Sequence, residues 1–318
     1  MEPEPFPRRF ARPEPSPRRF SRAEPDVLPI VRLRHWGRWV SAVVIIVLLA
    51  ALLVALAQAQ IDWASVPDFV VYRVMIVGLV NTVLLAVIAQ SVAVVIGTVV
   101  ALMRRSANPV ANWFASAYIW LFRGLPVLLQ ILIWYNLALV IPTISIRLPF
   151  GGYLLDEPTN VLVSAFTAAL LGLALNESAY MAEIVRAGLN SVDSGQTEAA
   201  KSIGMAPSLT LRRVVLPQAM RVIIPPTGND FINMLKGTSI ASVIGVTELL
   251  HASNNISSQN LLVMETLFAA AIWYMVVVTV AGIGQHYLER TFGAAERSVA
   301  AQAAKALRAI PLTRGARV

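Results

Sequence analysis

The sequence predicts an all-α polytopic membrane protein of about six transmembrane helices, and three observations carry that reading. Of its 318 residues, 57% are hydrophobic and only 14% are charged, where soluble domains carry roughly 25% charged residues. The mean hydropathy is +0.65. Two charge-free runs, Val40 to Ala59 and Val74 to Leu102, each reach the roughly 20 residues that a helix needs to cross a bilayer core. Cysteine is absent, which excludes a disulfide framework and any Cys-based metal or redox site.

Residues 1–38 hold nine arginines and repeat Pro-Arg-Arg-Phe at a ten-residue period. Such a Pro-rich, low-complexity tail cannot bury enough apolar surface to fold, so disorder is expected. Residues 39–60 form an extra N-terminal anchor, because twenty uncharged residues exceed a cleavable signal core. The second span covers Val74 to Leu102. Then Arg123-Gly124-Leu125-Pro126 interrupts an uncharged stretch. An arginine facing lipid at mid-membrane costs on the order of 3 kcal/mol. The segment is therefore expected to break there, with an interfacial helix bearing Trp113, Tyr118 and Trp120 before a third span from Val127 to Ile141.

The fourth span is placed at Asn160 to Met181, the fifth at Val222 to Leu250 and the sixth at Thr266 to Gln285. Six spans put both termini on one side, and the charges choose the cytosol. Of the 26 Lys and Arg residues, only Arg73 and Arg147 fall outside, with Lys236 inside the fifth span. The net charge of +8 thus reports topology rather than nucleic-acid binding. The chain divides into a tail (1–38), an anchor (39–60), a transmembrane domain (74–290) with a cytosolic loop (190–217), and a second cytosolic tail (291–318).

Ionisable groups at membrane depth mark candidate pathways, because each is costly unless it meets a partner or a cavity. Asn176, Tyr180 and Glu183 fall at i, i+4 and i+7 and form one polar stripe. Glu183 precedes Arg186 by three residues, so it reads equally as half of an ion pair. Glu177 lies deeper, has no basic neighbour in sequence, and is the better ligand candidate. On the fifth span, Pro225 and Pro226 remove two backbone donors and are expected to leave carbonyls free toward a cavity. Asn229, Asn233 and Lys236 share a face from which Asp230 points away. These groups suit either a satisfied inter-helix network or a midplane site for a zwitterion, which needs an acceptor for an ammonium and a donor for a carboxylate. The Gly237–Leu250 run of small and β-branched residues fits close helix packing, read here across a dimer interface. His35, His251 and His286 are scattered, without metal-ligand spacing.

The loop Thr197–Pro217, "TEAAKSIGMAPSLTLRRVVLP", is small, charged and turn-prone between two apolar spans. Ala199, Ala200 and Ile203 are expected on one face of a short helix. Gly204 can stop that helix with φ > 0, and Pro207 is expected to delay its restart. Pro217 then fits the first turn of the climb back into the membrane. The spacing of Glu198-Ala199-Ala200, Gly204 and Leu216-Pro217 resembles the EAA motif of binding-protein-dependent ABC transporter permeases. "FRGLPVLLQ" (Phe122–Gln130), Asn176–Ala200 and Leu216–Leu249 resemble the polar amino acid branch of that family, with Leu125 where the branch has Thr. The likeness covers about Val74 to Arg290 and omits both tails and the anchor.

That resemblance implies a five-helix type I importer core plus one extra N-terminal span, in the bacterial inner membrane. It implies that Glu198, Ala199, Ala200, Gly204, Leu216 and Pro217 dock an ATPase subunit. Partners would be that ATPase, an extracytoplasmic solute-binding protein and a second permease copy or paralogue, with an amino acid, most simply a polar one, as cargo. The chain itself carries no cofactor and no catalytic residue. Its nearest approach to a phosphate-binding loop, Lys236-Gly237-Thr238-Ser239, runs in the reverse order at membrane depth; ATP and Mg would belong to the ATPase. A secondary transporter driven by an ion gradient is the alternative, with Glu177, Asp230 and Lys236 as an ion relay, but it leaves the Glu198–Pro217 element without a purpose. A lipid-binding membrane scaffold would need neither the intramembrane acids nor the prolines.

Overall fold

The computed structural model describes residues 36–149 and 151–309, with side chains up to residue 292; the tails expected at 1–35 and 310–318 lie outside the described residues. Two units separate by their contacts, Met1–Gln60 and Ile61–Val318. The first holds α1 (Trp36–Gln58), whose 23 residues extend about 35 Å, enough to cross a bilayer core.

The second unit is helical apart from one two-stranded ribbon. Its long helices are α3 (Arg73–Arg104), α7 (Ala165–Asn190), α10 (Leu216–Gly237) and α12 (Val263–Ala309). The short helix α2 (Val66–Val71) precedes α3 and is tied to α12 where Trp273 Nε1 donates to the Val70 carbonyl at 2.8 Å. Helices α3 and α7 form the central pair. Gly97 lies where their backbones meet: a Cβ there would stand 2.7 Å from the Ser178 carbonyl and 2.6 Å from Met181 Cβ. Met75, Leu85, Ile131 and Met181 are fully buried in three clusters along the bundle, where association between spans rests on close packing rather than on escape from water.

Between these helices, α4 (Pro109–Gly124) is started by Asn108, whose Oδ1 accepts from the Val110 amide at 2.9 Å. Its partner α5 (Val127–Tyr135) follows after a bend of 100° at the Gly-Leu-Pro break. The break stands where the arginine and proline require it, but α5 is shorter than the expected third span. Nine residues extend only about 14 Å. Asn136 ends the helix by returning its Nδ2 to the Leu132 carbonyl at 2.9 Å. A hairpin that the sequence reading did not anticipate follows, β1 (Thr143–Arg147) against β2 (Tyr153–Pro158), then the single turn α6 (Thr159–Leu162).

Four helices are long and apolar enough to cross a membrane, α1, α3, α7 and α12, and the bent pair α4–α5 supplies a fifth segment. Helix α10 adds a 22-residue stretch, about 33 Å long but more polar. The chain is thus an all-α polytopic membrane protein. Its fifth span, however, begins earlier and ends sooner than expected. α10 stops at Gly237, and Thr238 to Ile244 tighten into 3₁₀ geometry ending at Gly245 with φ +80°. Glu248 then caps α11 (Leu249–Asn260), accepting from the Leu250 and His251 amides at 2.9 and 2.7 Å. The small residues of this stretch pack within the chain: Asn81 Nδ2 donates to the Thr247 carbonyl at 2.7 Å, and Ala241 and Leu249 are fully buried.

Helix α12 continues without a break past Arg290 to Ala309, so the expected boundary at 291 falls inside a helix.

Candidate functional site

Between α7 and α10 stands α8 (Ser194–Ser202), started by Asp193, whose Oδ1 accepts from the Gly195 amide at 2.7 Å. Its end is locked. Gly204 takes φ +80°, its amide donates to the Lys201 carbonyl at 2.9 Å, and the Met205 amide donates to Ala200 at 3.1 Å. This pair of bonds is the Schellman closure, which needs a residue free to adopt the left-handed region. Glu198 and Ala199 are exposed, and Ile203 is 78% exposed. Ala200, expected beside them, turns inward and is 4% exposed, since neighbours on a helix point about 100° apart. Pro207 keeps Ala206 extended, so the helix resumes only at Pro207, which opens the turn α9 (Pro207–Thr210) from its first position, where a fixed φ is an advantage. A π-helical turn, Leu211–Val215, carries exposed Arg212 and Arg213 into α10. Leu216 and Pro217 begin α10 and remain exposed.

The α7 stripe is engaged along its whole length. Asn176 Nδ2 donates to the Phe122 carbonyl at 2.7 Å. The Arg123 guanidinium lies 4.8 Å from the centre of the Tyr180 ring. Glu183 receives Arg186 at 2.6 Å on one carboxylate oxygen and Arg104, from the end of α3, at 3.1 Å on the other. Two members of the stripe thus hold the α4–α5 break, and the third ties α3 to α7. Gln130, which sequence reading passed over, completes the bracket by donating to the Phe122 and Leu125 carbonyls at 3.0 and 2.9 Å. Its signal was the break itself: carbonyls freed by Gly-Leu-Pro need donors within reach.

Glu177 and Asp230, which the sequence places on different spans, come together with their carboxyl groups facing each other. Glu177 Oε1 is buried and has no donor among the described residues. No lysine or arginine pairs with either acid there. Asn229, Asn233 and Lys236 share the other face of α10 and are exposed in the single chain. The proline pair lies within the continuous helix α10. The Pro225 carbonyl accepts Gln285 Nε2 of α12 at 2.6 Å, and Gln285 packs so closely on Gly228 that a Cβ there would overlap its amide. Among the described residues no cluster of acids and histidines could hold a metal ion.

Apolar spans enclosing a pair of unneutralised acids, joined to a short amphipathic helix held rigidly between two of them, define a membrane permease. The chain belongs to the family of binding-protein-dependent transport system inner membrane components, whose model matches residues 93–293. It is 40% identical over 262 residues to the arginine transport system permease protein ArgU of Corynebacterium glutamicum, covering 82% of this chain and 81% of that one. To the probable amino-acid permease protein YxeN of Bacillus subtilis it is 39% identical over 233 residues, 72% of this chain and 95% of the relative. A solved amino acid ABC transporter with histidines matches with a TM-score of 0.62 at 35% identity, covering 73% of this chain and all of the other. The permease is not an enzyme: its family moves solutes and leaves ATP hydrolysis to a separate subunit.

Proposed function

We propose that this chain is the permease subunit of an ATP-driven importer for polar amino acids in the bacterial inner membrane, with both termini in the cytosol. Two permease subunits, identical or paralogous, would form the pathway, receiving cargo from an extracytoplasmic solute-binding protein. The observation that carries this reading is α8, a capped and Schellman-closed helix whose Glu198 and Ala199 are exposed. Such an element transmits displacement because neither end can unwind. As two ATPase subunits close on ATP, the paired α8 helices are drawn together. The Arg104–Glu183–Arg186 tie passes that motion to α3 and α7 together, and the spans open outward.

Glu177 and Asp230 are the acceptors for a cationic group of the cargo, since the pair has no basic neighbour of its own. A basic side chain fits two facing acids best, and the similarity to a permease named for arginine supports that choice. Lys236 on the exposed face of α10 cannot face lipid cheaply; it meets the second permease or the aqueous pathway, where it can receive a carboxylate. Asn176, Tyr180 and Glu183 line the same region while holding the α4–α5 break and the α3–α7 tie.

Proteoliposomes holding the permease with its ATPase and solute-binding protein test the reading. ATP-dependent uptake of arginine that is insensitive to ionophores is expected. Uptake that proceeds without ATP and collapses with the ion gradient would refute it.

A further inference from the structure

Two cavities share a wall at the foot of α8. The first, of ≈ 680 Å³, sets the charged and polar side chains of Arg105, Asn190, Ser194, Thr197, Glu198 and Lys201 among apolar ones. The second, of ≈ 590 Å³, runs up between α3, α7 and α10 and is walled by residues such as Val94, Met181, Val185, Ile224 and Phe231. Leu102, Leu189 and Leu211 line both. A chamber that carries charges thus abuts an almost wholly apolar slot across three leucines, at the level where α3 and α7 end and α10 begins.

The slot is not built for water or for a polar amino acid. Its threonines are occupied on their own helices: Thr98 Oγ1 donates to the Val94 carbonyl at 2.7 Å and Thr227 Oγ1 to Ile223 at 2.8 Å. Only the Gln90 carboxamide, 7% exposed and without partners, is free, and it lies on α3 three turns away from Leu102. An ordered water needs two to four polar partners, which the leucine end does not offer. The α10 face that walls the slot is also distinct from the face bearing Asn229, Asn233 and Lys236. Hydrocarbon is the occupant such walls accept.

The chamber supplies the other half of an amphiphile's needs. Arg105 and Lys201 make no ion pair among the described residues, Glu198 brings the one opposing charge, and exposed Arg212 and Arg213 follow Leu211 in sequence. A net positive chamber beside a hydrocarbon slot selects an anionic headgroup over a zwitterionic one.

The geometry points to a bound anionic phospholipid, with its phosphate held by Arg105 and Lys201 in the chamber and one acyl chain lying along Leu102, Leu189 and Leu211 into the slot. The lipid packs against Thr197 at the base of α8, so it stiffens the lever as well as anchoring it. Only the leaflet, the cytosolic one, rests on the topology proposed above. The lipid site stands or falls independently of which cargo is carried.

The test is native mass spectrometry of the full-length permease after equilibration with equal amounts of phosphatidylglycerol and phosphatidylcholine of matched chains. Preferential retention of phosphatidylglycerol is expected. Arg105→Gln lowers that preference about five-fold, the worth of one cationic contact at a membrane surface, and Arg105→Lys restores most of it. Leu102→Trp, which fills the shared wall, reduces retention of both lipids, while Leu102→Met does not. Inorganic phosphate alone does not compete. Equal retention of the two lipids, or retention unchanged in both Arg105→Gln and Leu102→Trp, would overturn the site. So would a Leu102→Trp variant that loses its dimer while keeping its lipid, since a helix of a second copy would then fill the slot.

Discussion

The Met205 amide donates to the Ala200 carbonyl at 3.1 Å across Gly204, which sits at φ +80°. That closure fixes where α8 ends and how far it reaches. An L-residue with a Cβ in this region costs about 1–2 kcal/mol, and Asn tolerates it best. Affinity for the ATPase is therefore expected to fall in the order Gly204, Gly204→Asn, Gly204→Ala, Gly204→Val, measured by titrating the purified permease with ATPase. An unordered series, or equal binding throughout, would show that the turn is not what positions the helix.

The Phe122 carbonyl accepts both Asn176 and Gln130. Leaving a buried carbonyl wholly unpaired costs about 1–3 kcal/mol, while losing one of two donors costs less. Asn176→Leu is expected to lower the melting temperature in detergent, and Gln130→Leu to lower it further, because Gln130 also serves Leu125. The double variant should be worse than the sum of the two, since the carbonyl is then bare.

Glu183→Gln weakens the ties to Arg104 and Arg186 together. These side chains are partly exposed, so the stability change is expected to stay within about 1 kcal/mol. Transport should fall further than stability, while ATPase binding persists. Exchanging the charges, Glu183→Arg with Arg104→Glu, should recover part of the uptake rate.

Gly228 and Gln285 occupy one another's space. Gly228→Ala is expected to be destabilising and defective in uptake. Gln285→Ala in the same chain should relieve the clash, at the loss of the bond to Pro225. Failure of that suppression in a thermal-unfolding assay would place the defect elsewhere.

The long apolar spans and the α8 loop were legible in the sequence because each rests on local rules: charge-free length for the spans, and the Gly204 and Pro217 positions for the loop. The arginine and proline at 123–126 marked the break for the same reason. What could not be read were partners distant in the chain. Glu177 and Asp230 meet 53 positions apart through the packing of α7 on α10, and Gln285 reaches Pro225 from a different helix. The hairpin at Thr143–Pro158 begins just past the expected end of the third span at Ile141 and is held by pairing between strands, which counting spans does not register. Helix ends failed where capping lies off the periodic pattern: Gly237 and the Glu248 cap divide a stretch that hydropathy alone runs together.

Coupling to an ATPase requires that α8 face the cytosol, where the ATPase can reach it. The chain has no cysteine, so Ser202→Cys, at the exposed end of α8, places a single thiol on that element. Labelling with a membrane-impermeant maleimide is predicted in inverted vesicles, with protection when the ATPase is added, and not in intact cells. Ready labelling from outside intact cells would contradict it.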